Sequence, residues 1–154
     1  MKQSFVIYET QVGFIKIIEE DGYVISLGKV HDENIRDFGE ESELTKMVFL
    51  QVTEYFQGKR KEFHFPYKLH GTEFQKKVWK ALCDIPYGET RSYKDIAIAV
   101  GNEKASRAIG MANNKNPIGI AVPCHRVIGA NGSLVGYAGG LSMKKFLLEL
   151  EAKE

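Results

Sequence analysis

Apolar residues alternate with polar ones through SFVIYETQVGFIKIIEEDGYVISLGKV, and the stretch is broken at Val12-Gly13 and Asp21-Gly22. Alternation in FIKII and YVISL predicts half-buried strands, and Asp-Gly is a hairpin turn. An acidic linker, HDENIRDFGEES, follows. Ser42 then caps a predicted helix on which Leu44, Met47, Val48, Val52, Tyr55 and Phe56 recur at helical spacing, and Gly58 ends it. KRKEFHFPYKL predicts one more strand, closing near Pro66. Residues 1–67 thus read as a small α+β domain.

The pattern changes in residues 68–154. Thr72 caps a helix carrying Phe74, Val78, Trp79 and Leu82, which stops by Ile85-Pro86. Ser92 caps a second helix, YKDIAIAV, ended by Gly101. A third, EKASRAIGMANN, ends before Asn116-Pro117. Two short helices joined by a glycine-containing turn have the form of a helix-turn-helix, although most such pairs bind no DNA. An apolar run, IGIAV, leads into Pro123-Cys124-His125-Arg126. A glycine-rich loop follows, and Leu141, Phe146, Leu147 and Leu150 mark a closing helix.

Charge sharpens this division. The chain has 154 residues and a net charge of +1, but residues 1–67 hold 8 basic and 12 acidic side chains against 13 and 8 in residues 68–154. A polyanion is expected to meet the second part. The balanced total excludes a strongly basic coat protein or an acidic disordered tail. No apolar run approaches a membrane span and no secretion signal is visible, so a cytoplasmic protein without membrane contact is expected. The four histidines and two cysteines lack zinc spacing, and no metal is expected.

Cys124 carries the chemistry. An isolated intracellular cysteine is ordinarily an inert buried thiol. Here a proline precedes it, a histidine and an arginine follow, and a glycine-rich segment lies beyond. That marks a candidate nucleophile. His125 is a candidate base, but adjacent side chains of an extended segment face apart, so contact needs a turn or a bridging water. Glu151 is a possible orienter, though by sequence it reads as a solvated helix-end carboxylate. Cys83 reads as packing.

From PCHRVIG outward the chain closely resembles the O6-alkylguanine-DNA alkyltransferases, also called methylated-DNA–protein-cysteine methyltransferases. The resemblance runs through GTEFQKKVWKAL, IPYGET, SYKDIA, SRAIGMANNKNPIGIAVPCHRVIG, GYAGG and KKFLLELE, in order, over residues 71–151. Residues 1–67 resemble the family only loosely, as its variable RNase H-like α+β part. The implied fold is that unit followed by a mainly α domain with a helix-turn-helix.

The implied function is direct damage reversal. The protein binds double-stranded DNA through the minor groove, flips out a guanine alkylated at O6, and moves the alkyl group irreversibly to its own cysteine. O4-alkylthymine is an expected further substrate. The resemblance makes Cys124 the acceptor. His125 relays the thiol proton through a water, Glu151 orients that histidine, Asn116 braces the site, and Tyr93 donates a hydroxyl to the flipped base. Arg107 fills the gap in the base stack, with Ser92, Ala105 and Arg126 as further DNA contacts. Tyr137, Ala138, Gly139 and Gly140 form the pocket loop. Ala138 stands where some members have a serine, which removes one hydrogen bond to the alkylated oxygen and predicts room for bulkier groups. No cofactor is expected, and a monomer acting once is. Cys124 argues against the non-catalytic relatives that replace this residue. A helix-turn-helix regulator would leave PCHR and Glu151 unexplained.

Overall fold

The computed structural model describes residues 2–153. The chain divides into two compact units, Met1–His70 with Pro117–Ala121, and Gly71–Asn116 with Val122–Glu154. A single boundary between residues 67 and 68 does not account for the segment 117–121, which joins the first unit.

The first unit is built on an antiparallel meander of β1 (Gln3–Thr10), β2 (Gly13–Glu20) and β3 (Tyr23–Lys29). Both Asp21 and Gly22 have positive φ, 51° and 85°, which is the type I′ geometry matched to strand twist. Ile15 and Ile17 of β2 and Val24 and Leu27 of β3 are buried. Helix α1 (Glu43–Phe56) starts at a Ser42–Thr45 capping box. Its Phe49 stacks on Tyr8 of β1, with ring centroids 3.9 Å apart. Gly39 lies so close to β1 that a Cβ there would sit 2.0 Å from the Phe5 carbonyl oxygen, so only glycine fits.

Two expectations for this unit fail, each for a physical reason. Met47 is exposed; its place in the buried stripe of α1 is taken by Thr45 and Gln51. KRKEFHFPYKL forms no strand. Phe63 and Phe65 do alternate inward, but Gln51 takes the His64 backbone, donating to its carbonyl at 2.9 Å and accepting from its N–H at 2.8 Å. Pro66 offers no donor, and only a single bridge from Tyr67 to Val24 forms. The apolar run at residues 118–122 forms no regular strand. Ile118 bridges Leu27 once, and the chain then turns through Ile120 at φ 67°.

The second unit comprises α2 (Glu73–Cys83), β4 (Arg91–Ser92), α3 (Tyr93–Ala99), α4 (Ser106–Asn114), a 3₁₀ turn at Cys124–Arg126, β5 (Val127–Ile128) and α5 (Leu141–Ala152). Thr72 and Ser92 each form a capping box, with Gln75 and Asp95. Helix α4 begins at Ser106, three residues inside the predicted EKASRAIGMANN, because the chain before it closes a turn in which the Ala105 N–H donates to the Asn102 carbonyl at 3.0 Å. Val78, Trp79 and Leu82 bury one face of α2, and the Trp79 indole N–H donates to the Ala112 carbonyl of α4 at 2.9 Å. Cys83, expected in the packing, is exposed beyond that face. β4 and β5 pair in parallel, Arg91 with Val127 and Ser92 with Ile128. That pairing brings the start of α3 beside the chain leaving the 3₁₀ turn.

Candidate active site

The site lies within the second unit. Pro123 ends the apolar run, and the Arg126 N–H donates to its carbonyl at 3.0 Å, winding residues 124–126 into a turn. The turn, rather than an extended segment, thus carries Cys124 and His125, and it buries both: Cys124 is 4% exposed and His125 fully enclosed.

Glu151 is no solvated helix end. It is buried on α5, and its Oε2 lies 2.7 Å from His125 Nε2. Arg126 donates to the same carboxylate from Nε at 2.7 Å and from Nη2 at 2.9 Å, and from Nη1 to the Ile85 carbonyl at 2.7 Å. The Gly88 N–H adds a longer bond of 3.4 Å. A carboxylate accepting from arginine accepts from the imidazole too, so Nε2 carries the ring proton. Nδ1 is then a buried acceptor, with no hydrogen bond to the described protein. Burial pushes the His125 pKa below its ordinary value. The Arg126 and Lys144 cations push the same way, against Glu151. The imidazole is therefore neutral at neutral pH, with Nδ1 as its open acceptor.

Around the thiol stand Asn116, Tyr137 and Lys144. Burial raises the Cys124 pKa; hydrogen bonds from Asn116 and Tyr137 and the Lys144 charge oppose that rise. Asn116 Nδ2 also donates to the Val122 carbonyl at 2.8 Å, and Asn113 Nδ2 to the Cys124 carbonyl at 3.2 Å. The far ends of α4 and the segment after it thus hold the turn on both sides. Tyr93 donates its hydroxyl to the Val135 carbonyl at 2.8 Å. Burial, then the nearby Cys124, raises its pKa. Lys144, wholly buried, donates to both the Val127 and Val135 carbonyls. It ties the glycine-rich loop to the strand beyond the thiol.

The sequence-derived positions separate clearly. Cys124, His125, Glu151, Asn116, Tyr93 and Tyr137 come together. Gly139 is buried, its Cα so close to Tyr137 and Met143 that a Cβ would stand 2.6 Å from the Met143 sulfur. Ala138 is exposed and Gly140 precedes α5. Arg107 is exposed on α4, Ala105 is half-buried before it, and the half-buried Ser92 uses its hydroxyl to cap α3. Arg126 does not stand among exposed DNA contacts: it is 8% exposed and committed to Glu151 and Ile85. Lys144 and Asn113 are functional positions that the motifs do not mark. Both sit on the buried stripes of their helices, Lys144 with Met143, Leu147 and Glu151, and Asn113 with Ile109 and Ala112. A polar residue in register with a buried stripe is the signal that marks them.

A buried thiol beside a neutral imidazole, itself held by a carboxylate, defines a cysteine group-transfer site, carried here on a small α+β protein. The family model for the DNA-binding domain of 6-O-methylguanine DNA methyltransferase matches residues 73–153. The methylated-DNA–protein-cysteine methyltransferase of Methanosarcina acetivorans is 51% identical over 151 residues, 96% of this chain and 97% of that one. The inducible enzyme of Bacillus subtilis is 51% identical over 114 residues, 74% and 64% of the two chains. A crystal structure of the Mycobacterium tuberculosis OGT in complex with DNA superposes with a TM-score of 0.88 at 41% identity, covering 96% of this chain and 92% of that one. The chain belongs to the methylated-DNA–protein-cysteine methyltransferase family. No helix among the described residues is long and apolar enough to cross a membrane.

Proposed function

We propose that this protein repairs DNA by direct damage reversal, moving the alkyl group of an O6-alkylguanine to Cys124. The observation that carries the reading is the buried Glu151–His125 pair next to the buried Cys124, with His125 Nδ1 left as an open acceptor. The thiol proton passes toward Nδ1 through a bridging water, and the sulfur attacks the alkyl carbon. The S–C bond forms as the O6–C bond breaks, and the electron pair leaves with guanine. Tyr93 supplies a hydroxyl proton to the departing base and regains one from the relay, so one proton moves from cysteine to guanine overall. The thioether has no easy hydrolysis route, so each molecule acts once.

The α3–α4 pair acts as a helix-turn-helix, with α4 in the minor groove of double-stranded DNA. Arg107 occupies the gap left by the extruded base, which offsets part of an extrusion cost of about a few kcal/mol. Ser92 and Ala105 lie near the backbone, and residues 137–140 close the pocket. The first unit is read as RNase H-like, and the protein as a cytoplasmic monomer. The fold and DNA complex of the M. tuberculosis relative support DNA as the partner.

The test is intact-protein and peptide mass spectrometry after incubating excess protein with a duplex holding one O6-methylguanine. One methyl group gained on the peptide with Cys124, equimolar with lesion, is expected. Preferential binding of the lesion duplex with no mass change would replace this reading with recognition alone.

A further inference from the structure

The outer face of α4 carries one feature that alkyl transfer does not use. Its exposed residues are Arg107, Ala108, Met111, Asn114 and Lys115, while Ile109, Ala112 and Asn113 face inward. Spacings of one, four, seven and eight residues form a single stripe. The stripe holds two cations and no carboxylate, so it complements a polyanion. Ala108 beside Arg107 lets the helix backbone approach a groove closely. Met111 is 62% exposed, more than Leu50 at 58% or Ile98 at 54%. Exposure alone is ordinary for one apolar side chain. Its position is not: it stands one helical turn beyond Arg107, on the same stripe.

The geometry points to Met111 as a second insertion residue, an apolar wedge that enters the minor groove with Arg107 and opens a base step beside the lesion. This rests on the reading of α4 as the groove helix. Four residues span about 6 Å of helix axis, and stacked bases repeat at about 3.4 Å. Met111 therefore meets the stack nearly two steps from the gap that Arg107 fills, at a neighbouring pair. Methionine suits that place. It is unbranched, polarizable and flexible, and apolar wedges in the minor groove partly unstack and kink the step they enter. The expelled water and the buried thioether offset the lost stacking. Met111 contacts no reacting atom; it is a positioning residue, and it acts by lowering the cost of extruding the lesion.

The experiment compares wild type, Met111→Ala and Met111→Leu on two substrates, an O6-methylguanine duplex and the same lesion in a single strand, which has no duplex to open. Met111→Ala is expected to slow transfer from duplex by about tenfold, the size that burying one apolar side chain supplies. Single-strand rates should match wild type, and Met111→Leu should restore the duplex rate. A 2-aminopurine one or two steps from the lesion should brighten with wild type and stay quenched with Met111→Ala. Equal loss on both substrates, or no loss on either, overturns the wedge. Failure of wild type to transfer from either substrate would instead sink the alkyl-transfer reading itself.

Discussion

Removing Arg126 while leaving Glu151 in place isolates what holds the relay together. In Arg126→Met the carboxylate loses donors at 2.7 and 2.9 Å, and the Ile85 carbonyl loses its donor at 2.7 Å. Glu151 keeps the imidazole at 2.7 Å and the long Gly88 bond at 3.4 Å. Breaking a buried ion pair from one side costs about 3–5 kcal/mol, because the remaining charge has lost its compensation. For a chain of this size, that lowers Tm by roughly 6–20 °C. Thermal unfolding followed by circular dichroism at pH 8 reads it. The double variant Arg126→Met/Glu151→Gln removes the stranded charge and should recover half or more of the loss.

The same variant makes a kinetic prediction. Arg126 is one of the cations that hold the His125 pKa down. Without it the ring takes a proton more readily at neutral pH, and Nδ1 stops accepting. Transfer to Cys124 should then slow at neutral pH and recover as pH rises, over a range where wild type is flat. Two results would refute the reasoning: a single variant within about 0.5 kcal/mol of wild type, the scatter of an ordinary surface substitution, or a double variant less stable than the single.

Three further outcomes follow from the same geometry. Tyr93→Phe should leave stability within about 1 kcal/mol, the net worth of its bond to Val135. It should slow transfer by about 10²-fold, the size of losing one donor to a developing anion; an unchanged single-turnover rate would remove Tyr93 from the chemistry. His125 is neutral in the fold, its pKa depressed chiefly by burial, so the unfolded chain binds the proton first as pH falls. Its contribution is complete above the unfolded value of about 6.5 and is lost as pH drops through the lower folded one. The urea midpoint should fall between pH 7 and pH 5, and less so in His125→Asn. Methylating Cys124 adds a carbon to a side chain only 4% exposed and bonded by Asn116 and Tyr137. Overpacking of that kind costs about 1–3 kcal/mol; scanning calorimetry of the methylated protein should show a lower Tm than the free thiol, and an equal one would mean the pocket has room to spare.

Local chemistry made most elements readable. The capping residues Ser42, Thr72 and Ser92 and the Asp21-Gly22 turn act within four residues of themselves, so their signals survive in one dimension. What failed depends on partners distant in the chain. KRKEFHFPYKL has a strand's alternation, yet Gln51, thirteen residues before His64, takes the backbone groups a strand would pair. Arg126 lies two residues from the nucleophile in sequence and belongs to a carboxylate 25 residues away.

The candidate site was legible for a different reason. Cys124, His125 and Glu151 were found through motif order, whereas their burial was not visible: a carboxylate near a helix end looks solvated unless its partners are known. The structure supplies those partners from one turn. His125 and Arg126, adjacent in the chain, both reach Glu151 because the 3₁₀ turn sets consecutive side chains about 120° apart, whereas an extended strand would point them to opposite faces. The shared carboxylate then stays anionic through Arg126 and orients His125 at the same time. Placing arginine next to histidine thus solves two problems with one buried acid. It offsets the acid's desolvation, and it keeps the imidazole neutral where the thiol proton must go.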